Sequence, residues 1–381
     1  MNSDFHYYAT YCAAVLAGYS HQDSLVISAA DVFTDSCSRT LLSKLKAPQS
    51  AATTQLKLEL MDAHTDTSGL QDITRIWSSF HFLPYDLSAE PPQRTSKRYK
   101  AKYRLICQPN GKLLKQTVKL AKGKSLEAAG IAMHVLADTW AHRHFAGTPS
   151  LVINNPYNEF VELIPEGNGF SERMLTFRHS PSAPDDLERG IYTCSLYSNS
   201  EKSIMNLGHG RAGHLPDYCF IRYQYLPAWG NYKEYVKDNP SDYRYAFAQM
   251  IYAMKYLRGV HTDFELKKYD WKAVAGIEKD LHDILEKQQL DASDDWRALG
   301  ERLSGKTIKP FDMEAVQQEY LSAEADKKDN TFLGSFILAA LAQKSMVTNQ
   351  IFASGNKLAG RSIEYVRRGI RLARTIKEGK K

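Results

Sequence analysis

The chain has 381 residues, 43% of them hydrophobic and 24% charged, with a formal net charge of +6. That composition allows a large apolar core and excludes the disordered and collagen-like classes. Cys12, Cys37, Cys107, Cys194 and Cys219 are widely spaced with no C-x-x-C pair, which argues against a disulfide scaffold or a Cys-based zinc knuckle and for reduced thiols in a cytoplasmic setting.

The first residues, Met-Asn-Ser-Asp-Phe-His, lack the basic start and apolar stretch of a signal peptide, so any export is expected to use a signal-independent route. Ser3 or Asp4 is placed to cap a helix from Phe5 to Leu16 that ends near Gly18. A second helix is expected over Ser24 to Leu45, interrupted around Thr34-Asp35-Ser36, followed by a loop from Pro48 to Thr54. A helical or mixed segment runs from Ile73 to Phe82 and is stopped by Pro84; the Pro-rich stretch 84–96 reads as loop. Asn110-Gly111 is a turn, and Lys112 to Lys122 is helical in pattern. Ser125 is the expected N-cap of a helix over Leu126 to Phe145, ended by Gly147 and Pro149.

Residues 149 to 200 are rich in Pro, Asn, Ser and Gly, with β-like patches at Arg173 to Phe177 and Ile191 to Leu196. This is read as a long irregular insertion, of a length that in compact proteins is usually functional or disordered. Helices are expected again over Tyr245–Leu257, Trp271–Gln288, Asp295–Leu303, Met313–Ala325, Phe332–Phe352 and Leu358–Lys377. The fold class is therefore mainly α with minor β, divided into residues 1–240 and a C-terminal helical region, 241–381, packed on them. The apolar run Phe332 to Leu341 is about half of the ~20 residues that a membrane span needs, and it reads as a core helix.

Charge is unevenly placed. Gln93 to Lys124 holds eleven Lys or Arg and no acid, and Arg361 to Lys381 holds eight against two Glu. Two such segments favour an anionic partner: a phosphate ester, a nucleic acid or an anionic lipid surface. The tail also carries Ile363, Val366, Ile370 and Leu372 among its arginines, a pattern suited to peripheral contact with an anionic membrane.

The chemistry-bearing residues fall in four short motifs: Asp4-Phe-His6-Tyr, Phe80-His81-Phe82, the stretch His134 to His144, and Gly208-His209-Gly-Arg211-Ala-Gly-His214-Leu-Pro-Asp217. Imidazole with carboxylate is the ligand chemistry of zinc and similar divalent ions. On a helix, His134, Asp138 and His142 lie at i, i+4 and i+8 and form one stripe, while His144 lies on another face. The rest of that helix is small and apolar, so ionisable groups buried there require a pairing charge, and a metal ion supplies one.

The pattern H-x3-D-x5-H, here His134, Asp138 and His144, resembles the signature of zinc-dependent phospholipase C and of the S1/P1 nucleases. The chain is also similar to an uncharacterised bacterial family, related to those enzymes, with D-F-H-Y-Y and F-H-F-L-P motifs. The resemblance covers roughly the first 220 residues. It implies an all-α bundle with a trinuclear zinc centre, here with the irregular insertion and a C-terminal helical extension. It further implies His6 as the N-terminal ligand, Asp35 in the W-A-D-like Phe33-Thr34-Asp35, His81 before an aromatic, and a late His with a carboxylate from His209 or His214 with Asp217. The family's terminal Trp amine, also a ligand, has no Trp counterpart here, and Asp4 is a substitute. The family has Pro where His142 stands, and without it helix geometry favours His142 over His144.

These residues lead to a metal-dependent phosphoric ester hydrolase, phospholipase C-like, with one to three ions of zinc or another divalent metal. Asp35 is expected to hold metal and orient the attacking water, with Asp31 one turn earlier as its substitute; Arg211 is expected to bind substrate oxygens. A single-strand nuclease of S1/P1 type would use the same site. An interaction or effector protein with a closed, non-catalytic metal site is the reading from another class.

Overall fold

The structure is a computed structural model that describes residues 1–63, 65–93, 96–157, 159–178, 184–194 and 206–361. His64, His179, the end of the β-like patch at Leu196 and the basic tail beyond Arg361 lie outside the described residues.

Helices begin where a short polar side chain accepts a backbone N–H three residues on. A wide π-turn, Phe5–Ala9, leads into α1 (Thr10–Leu16), and Gly18 takes φ +89° to turn the chain. Ser20 caps α2 (His21–Phe33) and Ser38 caps α3 (Arg39–Lys44), so the expected long helix is two, parted at residues 34–38. After a 3-10 turn, Gln49–Ala51, come α4 (Lys57–Ala63), which periodicity did not reveal, and α5 (Thr67–Phe80), capped by Asp66. Ser96 caps α6 (Lys97–Tyr103), also unexpected. Next are α7 (Lys112–Ala121) and, capped by Ser125, α8 (Leu126–Ala141), which stops four residues before the expected end.

The expected irregular insertion has more order than its composition implied. It holds α9 (Leu151–Asn154), β1 (Val161–Glu166), β2 (Gly169–Met174), β3 (Thr176–Arg178) and β4 (Ile191–Thr193). Together with β5 (Arg222–Tyr225) and β6 (Tyr235–Asp238), β1 and β2 form an antiparallel sheet ordered β2-β1-β5-β6, while β3 and β4 pair in parallel. Tyr218, Phe220, Tyr223 and Tyr225 are buried with Phe82, Phe145 and Phe160 in an apolar cluster of their own.

The remaining helices are α10 (Asn239–Leu257), α11 (Trp271–Val274), α12 (Glu278–Glu286), α13 (Ser293–Ser304), α14 (Met313–Ser322) and α15 (Phe332–Ala353). The described residues are thus mainly helical, with a small sheet. The main core draws on both ends of the chain, from Phe5 and Phe33 to Trp296, Phe336 and Val347. Among the described residues no helix is long and apolar enough to cross a membrane.

Helix α8 lies at the centre, against α2, α10, α7, α15 and α5. Its small residues permit this. At Gly130 a Cβ would lie 2.3 Å from the Ile27 carbonyl oxygen of α2 and 2.6 Å from the Ala30 Cβ. Backbone-to-backbone approach at that point brings Asp31 and Asp35 of the α2 end beside His134 and Asp138 of α8. On the other side α15 reaches in with its buried Lys344, whose Nζ donates to the Ala52 carbonyl at 2.9 Å. Gly130→Ala adds helix propensity but forces α2 from α8, so we expect a net loss of about 1–3 kcal/mol in denaturant unfolding; an unchanged or raised midpoint contradicts the close-approach account.

Candidate metal centre

The π-turn points His6 inward beneath α2, at full burial. Asp31 sits in the last turns of α2, and Asp35 follows its end. His81 is the C-cap of α5, with its N–H bonded to the Trp77 carbonyl at 3.1 Å. His134 and Asp138 project from α8, and His142 is that helix's C-cap. His209 and Asp217 come from the turn-rich segment 206–217. Gly208 (φ +53°) and Gly213 (φ +56°) are required there, because a Cβ would meet the Phe82 ring at 2.2 Å and the Thr193 carbonyl at 2.1 Å.

Each of the five imidazoles has one nitrogen tied to an acceptor outside the centre. Asp31 Oδ1 accepts from His6 Nδ1 at 2.6 Å and from His134 Nδ1 at 3.1 Å, and Asp31 Oδ2 accepts from the Thr10 hydroxyl at 2.7 Å. His81 Nε2 donates to the Thr53 carbonyl (3.0 Å), His142 Nδ1 to the His81 carbonyl (2.8 Å), and His209 Nδ1 to the Gly213 carbonyl (2.7 Å). Carbonyls and carboxylates only accept, so these nitrogens carry protons and the other nitrogen of each ring faces inward.

Those inward atoms meet carboxylates. Asp138 Oδ2 is 3.2 Å from both His134 Nε2 and His81 Nδ1, which are themselves 3.2 Å apart. Asp35 Oδ1 is 3.6 Å from His81 Nδ1 and 3.8 Å from His134 Nε2. His6 Nε2 makes no hydrogen bond although buried; Asp138 Oδ1 lies 3.3 Å from it and Asp35 Oδ2 4.0 Å. In a second group His142 Nε2 is 3.1 Å and His209 Nε2 3.6 Å from Asp217. The Met1 amine joins the groups, 2.8 Å from Asp138 and 3.3 Å from His142 Nε2.

Three sets have ligand atoms close enough to share one divalent ion: His6, Asp31 and His134; Asp35, His81 and His134; and His142, His209 and Asp217. In the first set the Asp31 oxygens are already taken by Nδ1–H and hydroxyl donors, the arrangement of an outer carboxylate that orients metal-binding imidazoles. A tetrahedral ion about 2.0–2.1 Å from each N or O ligand needs ligand atoms about 3.3 Å apart, and the observed separations straddle that value. The donor set is N and O without thiolate, a set that zinc, copper, iron and nickel all accept.

Electrostatics agree. Burial opposes the charge on His134, yet Asp138 and Asp35 hold its pKa up at about 10. Burial takes His209 down to about 4 and also lowers His81. Against burial, His142, the terminal amine and His134 keep the Asp138 carboxyl well below the usual carboxylate range; His209 and the amine do so for Asp217.

Several expected residues stand elsewhere. His144 takes φ +81°, and its ring packs on Trp229 and Tyr235 with Nδ1 3.3 Å from the Tyr225 hydroxyl. The helix ends at Ala141, so His142 faces the centre and His144 does not. His214 stands at the edge, 60% exposed, with Nδ1 3.4 Å from Asp217. Arg211 is buried and donates to Asn206 and Asn155. Asp4 bonds the N–H groups of Phe5 and Ala292 and does not join the ligand groups. Sequence reasoning missed the Thr53, His81 and Gly213 carbonyls, which no side-chain pattern announces, and the Phe82 ring stacked on His142 at 4.7 Å.

A sequence model of DUF6765, a family of unknown function, matches residues 1–351. No curated protein and no solved structure matches the chain.

The raised His134 pKa has a measurable consequence. Without metal, its charge stabilises the fold fully below about pH 6.5, the ordinary imidazole value, and that contribution is lost as pH rises through about 10. The low carboxyls do the reverse, losing their contribution as pH falls below the ordinary carboxylate value. A metal ligand must shed its proton. Titrating zinc into chelator-stripped protein at pH 7 should release at least one proton per molecule, read by calorimetry in two buffers of different ionisation enthalpy. Heat independent of the buffer contradicts this assignment.

Proposed function

The chain belongs to the DUF6765 family of unknown function, and we propose that it is a metal-dependent phosphoric ester hydrolase of phospholipase C-like type. The observation that carries the reading is the set of five imidazoles with outward nitrogens all tethered and inward nitrogens gathered about Asp138, Asp35 and Asp217. At 3.2 Å, His134 Nε2 and His81 Nδ1 need a positive charge beside them, supplied by the proton that His134 keeps or by a cation that would replace it.

In this reading His81, His134, Asp35 and Asp138 hold one divalent ion, and His142, His209 and Asp217 hold a second. His6, with Asp138 and Asp35 as its neighbours, serves a third. Zinc fits this donor set. The resemblance assigns a ligand role to a terminal amine carried by Trp, and the Met1 amine lies among Asp138, His142 and Asp217. A bound metal pair supplies hydroxide near neutral pH and neutralises phosphoryl oxygens during in-line displacement.

The chain's own groups do the rest. Asp31 fixes the tautomers of His6 and His134. Asp35, with 39% of its side chain exposed, is the carboxylate on the open side and is placed to accept a proton from an attacking water. Asp138 and Asp217 stay ionised in the interior and offset the imposed positive charge. His214, exposed beside Asp217, is positioned to meet a leaving oxygen at the rim. Arg211 is tied to Asn206 and Asn155, so direct contact with substrate oxygens forms no part of the reading.

The test is release of phosphorylated headgroup from labelled phospholipid vesicles, with single-stranded nucleic acid as the parallel substrate. We expect turnover of phospholipid that is abolished by chelator, restored by zinc, and lowered at least a hundredfold by Asp35→Asn. Preferential cleavage of the nucleic acid would replace phospholipase by nuclease, and chelator-resistant turnover or none on either substrate would overturn the proposal.

A further inference from the structure

The face formed by α6, α9 and residues 228–232 gathers unneutralised cations and exposed aromatics. On α6, Lys100 and Arg104 pair with Glu90, but Lys97, Arg98 and Lys102 have no carboxylate partner among the described residues. Burial, with a contribution from the neighbouring Arg98, pushes Lys102 below the ordinary lysine range. Tyr99 and Tyr103 stack along the same helix at 6.2 Å.

Helix α6 packs on α9, and α9 packs on the 3-10 turn Ala228–Gly230. This neighbourhood presents Val152, Tyr157 and Tyr232 at 48%, 47% and 49% exposure. The Tyr157 and Tyr232 rings meet edge to face at 5.8 Å, and Asn155 donates to the Tyr232 hydroxyl at 3.4 Å. Tyr157, Asn231 and Tyr232 all take positive φ (59°, 57° and 55°), a conformation bulky residues rarely adopt. The backbone is strained where it displays the two tyrosines.

The C-terminal end of the described chain lies alongside. Asn356 Nδ2 donates to the Ala101 carbonyl of α6 at 2.7 Å, and the described residues end at Arg361 over the exposed Phe352 ring.

We infer that the α6, α9 and 228–232 face is a docking surface for an anionic lipid bilayer. Lysine and arginine draw it to acidic headgroups, and Tyr157, Tyr232 and Val152 enter the interfacial layer, where amphipathic rings are favoured. A single nucleic-acid strand would use the cations and rings but leave Val152 uncovered; a bilayer uses all three. The surface deepens the phospholipase reading, yet its test does not depend on turnover.

Full-length protein is co-sedimented with vesicles of phosphatidylcholine alone or with phosphatidylserine at about 30 mol%. We expect binding to the acidic vesicles that weakens with salt. It should fall at least tenfold in Lys97→Glu/Arg98→Glu/Lys102→Glu and severalfold in Tyr157→Ser/Tyr232→Ser, with thermal unfolding and hydrolysis of a soluble phosphodiester unchanged. Equal binding by wild type and triple variant overturns the assignment of this face. So does tighter binding of single-stranded DNA than of acidic vesicles, or binding to neither. Vesicle binding without hydrolysis would leave the surface standing and reject the catalytic reading, so the two failures are distinct.

Discussion

Three buried carboxylates, with Asp35 at the open side, and five imidazoles meet here, and the fold tolerates them because every ring has an acceptor behind it. Desolvating such groups is costly unless each polar atom is matched. Asp31 faces two rings at once, and the Thr53, His81 and Gly213 carbonyls face the other three. These outer bonds determine which nitrogen looks inward and concentrate ring nitrogens around Asp138. The close approach of α2 and α8 at Gly130 is the backbone condition for that arrangement.

The C-terminal helices belong to the same construction. α15 places the Lys344 amine on the Ala52 carbonyl, one residue before the carbonyl that holds His81, and Gln343 on the Ser79 carbonyl, two residues before His81. α10 lies against α8 and brings Tyr243, whose hydroxyl donates to the carbonyl of Asp217. Residues beyond 240 therefore brace the ligand-bearing segments from outside.

Much of this was legible where periodicity governs. The His134, Asp138 and His142 stripe follows from helical spacing, and Ser125 marked the start of its helix. The end of α8 was not legible, because it depends on a distant strand-like contact: His144 N–H bonds the Cys107 carbonyl and Cys107 N–H bonds the Phe145 carbonyl. That contact takes His144 off the helix and into an aromatic nest. The choice between His209 and His214 stayed open in the sequence for a similar reason. Two positive-φ glycines and the approach of Thr193 decide which ring turns in. The insertion was read as irregular although β1 and β2 form a local hairpin; the pairing of β1 with β5, which joins that hairpin to the sheet, spans a long separation that local composition does not encode. α4 and α6 are short and bury no residue, so they leave no periodic trace.

The account stands on divalent ions bridging the inward nitrogens and carboxylates, with Asp138 as their common neighbour. Elemental analysis of the purified protein, wild type against Asp138→Ala, tests this most directly. The account predicts bound zinc, or another divalent metal, in the wild type and the loss of at least one ion per molecule in the variant. A wild type that holds no metal after exposure to zinc, or a variant with the same content, would contradict it.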